Sequence, residues 1–236
     1  MAGSAFFIYP SLCKIYNVRR AYTQEFRNIF HCNRMAEVVY YGKFFIRKER
    51  ADMDYPRKEI TLKTGEKAVF RAPTTEDASA MLDYLRTVVA ETEFLLRTAE
   101  DPLPDLESEK RFLENAAAGE GSVMIVCEMD GIIVGNCSMN RGRHQKDRHR
   151  ASIGIALRKA YWNRGIGTAM FRELTKIAEQ WGLEQMELAF IEGNDRGRAL
   201  YEKMGFQIYA EHPNAIHLPD GRVLKEYEML RPVEKK

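Results

Sequence analysis

Two closely spaced glycines, in the stretch Tyr161-Trp162-Asn163-Arg164-Gly165-Ile166-Gly167-Thr168-Ala169-Met170, constrain this chain more than any other feature. The apolar run Ser152–Leu157 ahead of them predicts a strand. Behind them, Met170, Leu174, Ile177 and Trp181 share one face of a predicted helix. A strand, a glycine turn and a helix N-terminus in that order gather unpaired N–H groups and the positive end of a helix dipole at one point. Such a point holds phosphate without a charged side chain. Gly165 and Gly167 allow a ligand to approach the backbone closely. Arg164 and Thr168 add a charge and a hydroxyl, and Ile166 completes the turn. In isolation a G-x-G turn is a common tight connection. There is no G-x-x-x-x-G-K-[ST], and the turn is too short for a G-x-G-x-x-G with an acidic residue about twenty positions on.

A second segment adds specificity. The apolar run Met186–Ile191 leads into Asn194-Asp195-Arg196-Gly197-Arg198-Ala199-Leu200-Tyr201-Glu202-Lys203-Met204-Gly205-Phe206. A strand ending in R-G-I-G-T, a helix, another strand and then N-x6-Y-x3-G-F resembles the GNAT superfamily of N-acetyltransferases. The resemblance spans residues 58–231 and is carried by residues 150–206. It implies an α/β fold with a mixed, centrally splayed sheet of about six to seven strands flanked by about four helices.

The resemblance also implies acetyl-CoA as co-substrate, lying between the splayed strands Ser152–Leu157 and Met186–Ile191. The pantetheine arm would pair with Ile155 and Leu157, and the diphosphate would rest on Arg164, Gly165, Ile166, Gly167 and Thr168. The Leu157 amide would receive the charge developing on the thioester oxygen. Asn194 matches the family asparagine beside the pantetheine arm, and Tyr201 the tyrosine at the thiol. A tyrosine is protonated at neutral pH and can serve as general acid to the departing thiolate. The implied reaction is direct attack by a primary amine, in a ternary complex, on the acetyl group.

Three departures stand out. Trp162 occupies a position usually held by Gln or Arg, which a loop working through its backbone tolerates, and Gly197 replaces a usual Asn or Glu-Arg pair. More consequential, Ala151 and Ala189 stand where the family often has a glutamate base. Glu192, at the end of the second strand, is the candidate base, with Glu187, His149 and Glu93 as others, each more readily read as a solvated or structural residue.

Along the chain, Glu59–Leu62 and Ala68–Arg71 flank Thr64-Gly65 as a hairpin, and Thr74 or Thr75 with Glu76 and Asp77 opens a helix. Ala78, Met81, Leu82, Leu85, Val88 and Val89 form its predicted buried face. After Asp101-Pro102-Leu103-Pro104-Asp105 a second helix runs from Leu106 to Ala118. Val123–Met129 and Ile132–Met139 alternate around Asp130-Gly131, a strong hairpin turn. Phe206–Tyr209 and Arg222–Leu230 close the sheet.

Residues 1–52 read as a poorly ordered extension, with 53–236 as the acetyltransferase-like domain. They hold 11 of the 25 aromatic residues and nine Lys/Arg against four Asp/Glu, so the remainder sums to −3 within a chain total of +2. Met53 as a natural start, with the preceding residues a translated upstream extension, and a genuine short tail are both compatible with this. A neutral-to-acidic body points away from nucleic acid, and no apolar run reaches the roughly 20 residues of a membrane span. Cys13, Cys32, Cys127 and Cys137 and the five histidines show no disulfide or metal spacing, so no metal and a cytoplasmic setting are expected. A two-residue turn would set Cys127 opposite 134 and Cys137 opposite 124.

The expected partner is a small-molecule amine met by a monomer or homodimer. The acidic run around Glu91, Glu93, Glu100, Asp101 and Asp105 favours a cationic acceptor such as a polyamine, an amino sugar or a protein N-terminus. The basic loop Arg141–Arg150 favours an anionic one. A protein N-terminal acetyltransferase and a non-catalytic acyl-CoA-binding module are the alternatives.

Overall fold

A computed structural model describes residues 55–118 and 121–234. The expectations for residues 1–52 lie outside the described residues. Strands β1 (Lys58–Thr61) and β2 (Lys67–Arg71) form the first hairpin, followed by helices α1 (Ala78–Glu91) and α2 (Leu106–Ala118). Strands β3 (Ser122–Met129), β4 (Ile132–Arg141) and β5 (Arg150–Leu157) then form an antiparallel meander. Helix α3 (Ile166–Gln180), strand β6 (Gln185–Ile191), helix α4 (Asp195–Lys203) and the hairpin of β7 (Gln207–His217) and β8 (Val223–Pro232) complete the chain. One eight-stranded sheet results, in the order β1-β2-β3-β4-β5-β6-β8-β7. That exceeds the expected six to seven strands.

Every neighbouring pair is antiparallel except β5 and β6. These two run parallel and pair only through Arg150–Gln185, Ala151–Met186 and Ser152–Glu187. Beyond that rung β5 stays paired to β4 as far as Leu157, and β6 to β8 as far as Ile191. The sheet therefore opens at its centre.

One face is covered by α3, whose Ile166, Met170, Phe171, Leu174 and Ala178 are buried against residues such as Cys137, Ile153 and Met186. The other carries α1 and α2 over Met124, Val126 and Ile133. The expected buried face of α1 holds for Ala78, Met81, Val88 and Val89, whereas Leu82 and Leu85 are half-buried and Tyr84 is fully buried. The Tyr84 hydroxyl is 3.1 Å from Asn136 Oδ1 and donates to the Ala156 carbonyl at 2.8 Å, which ties α1 to β4 and β5.

The β3–β4 register differs from the simple hairpin. Met129 faces Ile132 and Glu128 faces Ile133, as the two-residue turn requires, but Cys127 faces Gly135 and Cys137 faces Ile125. A β-bulge at Val134 inserts the extra residue. The residue after β5 is anchored there: the Arg158 amide donates to the Val134 carbonyl at 2.9 Å, and its Nε to the Ile133 carbonyl at 3.0 Å. Cys127 and Cys137 are buried free thiols, and burial pushes both up, Cys127 to about 12.

A buried carboxylate secures α3 to the first strand. Glu173 accepts from Tyr55 at 2.8 Å, Lys58 at 2.7 Å and Lys176 at 2.6 Å. Burial opposes its charge, but the bonds from Lys176, Lys58 and Tyr55 outweigh burial and hold the carboxyl down at about 2, against an ordinary 4.5. A depressed carboxyl contributes stability that is full above its unfolded value and lost as pH falls through its folded one. Wild-type stability should therefore decline across pH 4.5 to 2. Glu173→Gln should cost about 1–3 kcal/mol at neutral pH, with a flatter profile in that acid window, measured by urea unfolding at several pH values.

Candidate active site

Alternation along β5 decides which backbone groups face the central opening. The Gly142 amide donates to the Arg150 carbonyl and the Arg158 amide to the Val134 carbonyl, so even-numbered residues of β5 turn their groups toward β4. Ile155 and Leu157 thus turn theirs toward β6, which has already diverged. On β6, the Glu192 amide donates to Lys225 and the Glu184 carbonyl accepts from Val233, so Ala189 and Ile191 face the same gap. A sheet cut open this way presents amides that a ligand can pair with as an added strand.

The gap leads into a cleft of about 780 Å³. Its walls include Ile155 and Leu157 from β5; Gly165, Ile166, Gly167 and Thr168 at the start of α3; and Asn194, Gly197, Leu200 and Tyr201 of α4 and its cap. Thr92, Phe94, Leu95 and Gly193 line the opposite mouth.

The turn before α3 is shaped for an anion. Asn163 has φ 64° and Gly165 φ 93°, left-handed conformations that fold the backbone into a concave nest. A Cβ on Gly165 would stand 3.1 Å from Lys63 Cγ, and one on Gly167 would stand 2.8 Å from Leu200 Cδ2. The first backbone bond leading into α3 is from Ala169 to the Gly165 carbonyl. The amides of residues 164–168 find no acceptor among the described residues. Lys63, Arg196 and Lys203 add positive charge around the cleft.

The side chains of the turn have structural employment. Arg164 points away from the cleft, paired with Glu66 at 2.7 Å and lying 4.8 Å over the Tyr161 ring, so only its backbone belongs to the nest. Trp162 Nε1 donates to the Leu157 carbonyl at 2.9 Å, which leaves the Leu157 N–H as that residue's group toward the opening. Arg196 lies 4.8 Å over the Trp162 ring and donates to Asn163 Oδ1. Neither Trp162 nor Arg196 was an expected site residue, since only tertiary contact brings α4 against the turn.

Asn194 caps α4, its Oδ1 accepting from the Gly197 amide at 3.0 Å. Any side chain at 197 would collide with it, because a Cβ there lies 2.7 Å from Asn194 Nδ2. Tyr201 is buried edge-on against Phe171 at 5.7 Å and beside Phe190 at 5.9 Å. Burial pushes its hydroxyl up to about 12, so it stays protonated at any physiological pH. Glu192 stands apart from the cleft wall, with its carboxylate accepting the Lys225 amide at 3.0 Å. Glu187 is held by Arg150, and Glu93 by Arg222 at 2.7 Å.

An opened sheet with a free-amide nest beside it is matched by sequence comparison. The acetyltransferase (GNAT) family model aligns with residues 89–206, half of the 236-residue chain. The chain belongs to the GNAT family. This GNAT protein is 28% identical over 164 residues to the L-amino acid N-acetyltransferase AaaT of Escherichia coli (strain K12), a match covering 69% of this chain and 96% of that one. Its fold superposes on a GNAT acetyltransferase from Streptococcus pneumoniae with TM-score 0.66 and 23% identity, covering 71% and 99% of the two chains. It also matches yncA, a putative acetyltransferase from Salmonella typhimurium whose structure holds acetyl-CoA, with TM-score 0.62, 19% identity and coverages of 72% and 95%. Members of this family are acyl-CoA-dependent N-acyltransferases. Among the described residues no helix is long and apolar enough to cross a membrane.

Gly165→Ala should lower stability by about 1–2 kcal/mol, because a Cβ at positive φ is strained. Thermal unfolding checks this, and a wild-type melting temperature would contradict it.

Proposed function

We propose that this protein transfers the acetyl group of acetyl-CoA to the primary amine of a small molecule, by direct attack with both substrates bound, and that α-amino acids are the first acceptor class to test. The unpartnered amides of residues 164–168, set at the mouth of the parted strands, carry the reading. They fit a diphosphate, which needs several convergent donors and little room. The amino-acid acceptor class rests on the E. coli relative.

Acetyl-CoA supplies an acyl carbon activated as a thioester. The amides of Gly165, Ile166, Gly167 and Thr168, with Arg164 contributing its backbone, hold the diphosphate. Ile155 pairs with the amides of the arm, and Asn194 borders it from the cap of α4. The Leu157 N–H stabilises the charge that develops on the carbonyl oxygen. Tyr201, kept protonated by burial, hands its proton to the departing sulfur.

Free-thiol release across a panel of L-amino acids, a polyamine, an amino sugar and a short peptide tests this. Turnover with at least one small amine is expected, and its absence with all of them contradicts the proposal. Tyr201→Phe should lower kcat by about 10²-fold while leaving the KM for acetyl-CoA near wild type. Unchanged turnover would favour a module that binds acyl-CoA without reacting it.

A further inference from the structure

An acceptor amine binds as an ammonium and cannot attack until it loses a proton, yet Ala151 and Ala189 leave β5 and β6 without an acidic side chain at the opening. Cross-strand register supplies one. Residues opposite each other share a face, and β8 places Glu228 opposite Ala189 and Glu226 opposite Ile191. Cβ atoms of such pairs stand about 4.5–5.5 Å apart. The alternate residues Phe190 and Tyr227 stack at 5.2 Å on the other face, where Phe190 also meets Tyr201. Glu226 and Glu228 therefore look out on the side of the sheet away from Tyr201.

Height along the opening separates the two. Counting from the last shared rung, Ser152–Glu187, Ile191 lies level with Ala156, so Glu226, on the strand beyond β6 and outside the cleft wall, stands at about the height of the Leu157 amide. Glu228 sits deeper and is engaged: the Tyr209 hydroxyl donates to its Oε2, and His212 Nε2 lies 2.9 Å from Oε1. Among the described residues no hydrogen bond or ion pair engages Glu226, a half-buried carboxyl. Three other acids weighed as bases are committed, Glu187 to Arg150, Glu192 to the Lys225 amide, and Glu93 to Arg222 just ahead of β8, while Asp195 lines the cleft at the N-terminus of α4. That last ion pair joins the segment after α1, which carries Thr92, Phe94 and Leu95 of the mouth, to Arg222, the residue before β8.

Building on the acyl-transfer reading, we propose that Glu226 is the general base that deprotonates the acceptor ammonium. Of the two protons the nitrogen sheds, one passes to Glu226 and on to solvent. The other ends on the sulfur by way of Tyr201, as the N–C bond forms and the C–S bond breaks. Base and acid then flank the acyl carbon from opposite faces of the opened sheet, as an incoming nucleophile and a departing thiol require. The groups facing Glu226 are His212, opposite it on β7, and Glu228 on its own strand; Lys225 is engaged with Glu211. Burial raises the Glu226 proton affinity, His212 lowers it and Glu228 raises it, with a net upward shift. Protonation of a raised carboxyl produces an acid limb in kcat/KM above the ordinary carboxylate range.

Wild type, Glu226→Gln and Glu228→Gln are compared with the best amine of the panel and with hydroxylamine, whose nitrogen is unprotonated at neutral pH, after subtracting the uncatalysed rate. For the basic amine, Glu226→Gln should lose about 10²–10³-fold in kcat/KM and its acid limb should disappear, with the KM for acetyl-CoA and the melting temperature unchanged. With hydroxylamine it should stay within about 3-fold of wild type, since no proton need be removed first. Glu228→Gln should retain activity with its acid limb moved to lower pH. Full activity of Glu226→Gln with the basic amine, or equal losses toward both nucleophiles, overturns the assignment while leaving acyl transfer intact. An inert wild type instead overturns the acyl-transfer reading beneath it.

Discussion

Beyond the Ser152–Glu187 rung, β5 and β6 have no strand between them, yet each is held from outside, β5 by β4 and β6 by β8. The amides of Ile155 and Leu157 are consequently aimed into a gap, and a backbone donor without a partner is costly. The gap persists because its walls are fixed elsewhere. The bulge at Val134 and the Arg158 side chain pin the end of β5, and Trp162 takes the Leu157 carbonyl. Polar backbone is left wanting a partner in the middle of an otherwise satisfied sheet.

The helices turn that vacancy into a directional site. Helix α3 is bound to β1 through Glu173 and packs on Phe206 and Tyr201 through Phe171, so its N-terminus cannot drift from the opening. The side chains of the turn are occupied in bracing it: Arg164 against Glu66, and Trp162 and Asn163 against Arg196. What remains for an anion is peptide N–H, with Thr168, Lys63 and Lys203 lining the same cleft. On the proposed reading, the buried tyrosine on one face and Glu226 on the other would give the acyl carbon a proton donor and a proton acceptor from opposite directions.

Much of this was legible in local sequence because local physics governs it. The strand–glycine turn–helix order located the nest, and the apolar runs located the parting strands. The limits of local reading are equally physical. The turn at Asp130-Gly131 fixes only the first rungs, so the bulge at Val134 escaped the alternation of β3 and β4. Strand β7 runs to His217, well past the expected Tyr209, and accommodates Pro213 because it is an edge strand, where a missing donor costs little. Tyr84 was passed over in favour of aliphatic neighbours, although its hydroxyl reaches Asn136 and Ala156. Arg164 read as a phosphate ligand, but Glu66, distant in sequence, claims it. Glu226 could not be found from β6, since its place opposite Ile191 is set by sheet order.

The central claim is that free main-chain amides at the parted strands, rather than charged side chains, hold the donor. Amide hydrogen exchange with and without saturating acetyl-CoA tests it residue by residue. The account predicts that protection rises at Ile155, at Leu157 and across residues 164–168, while the antiparallel rungs of β3 and β4 stay as they were. Acetyl-CoA binding that leaves those amides exchanging at their free rates would contradict it.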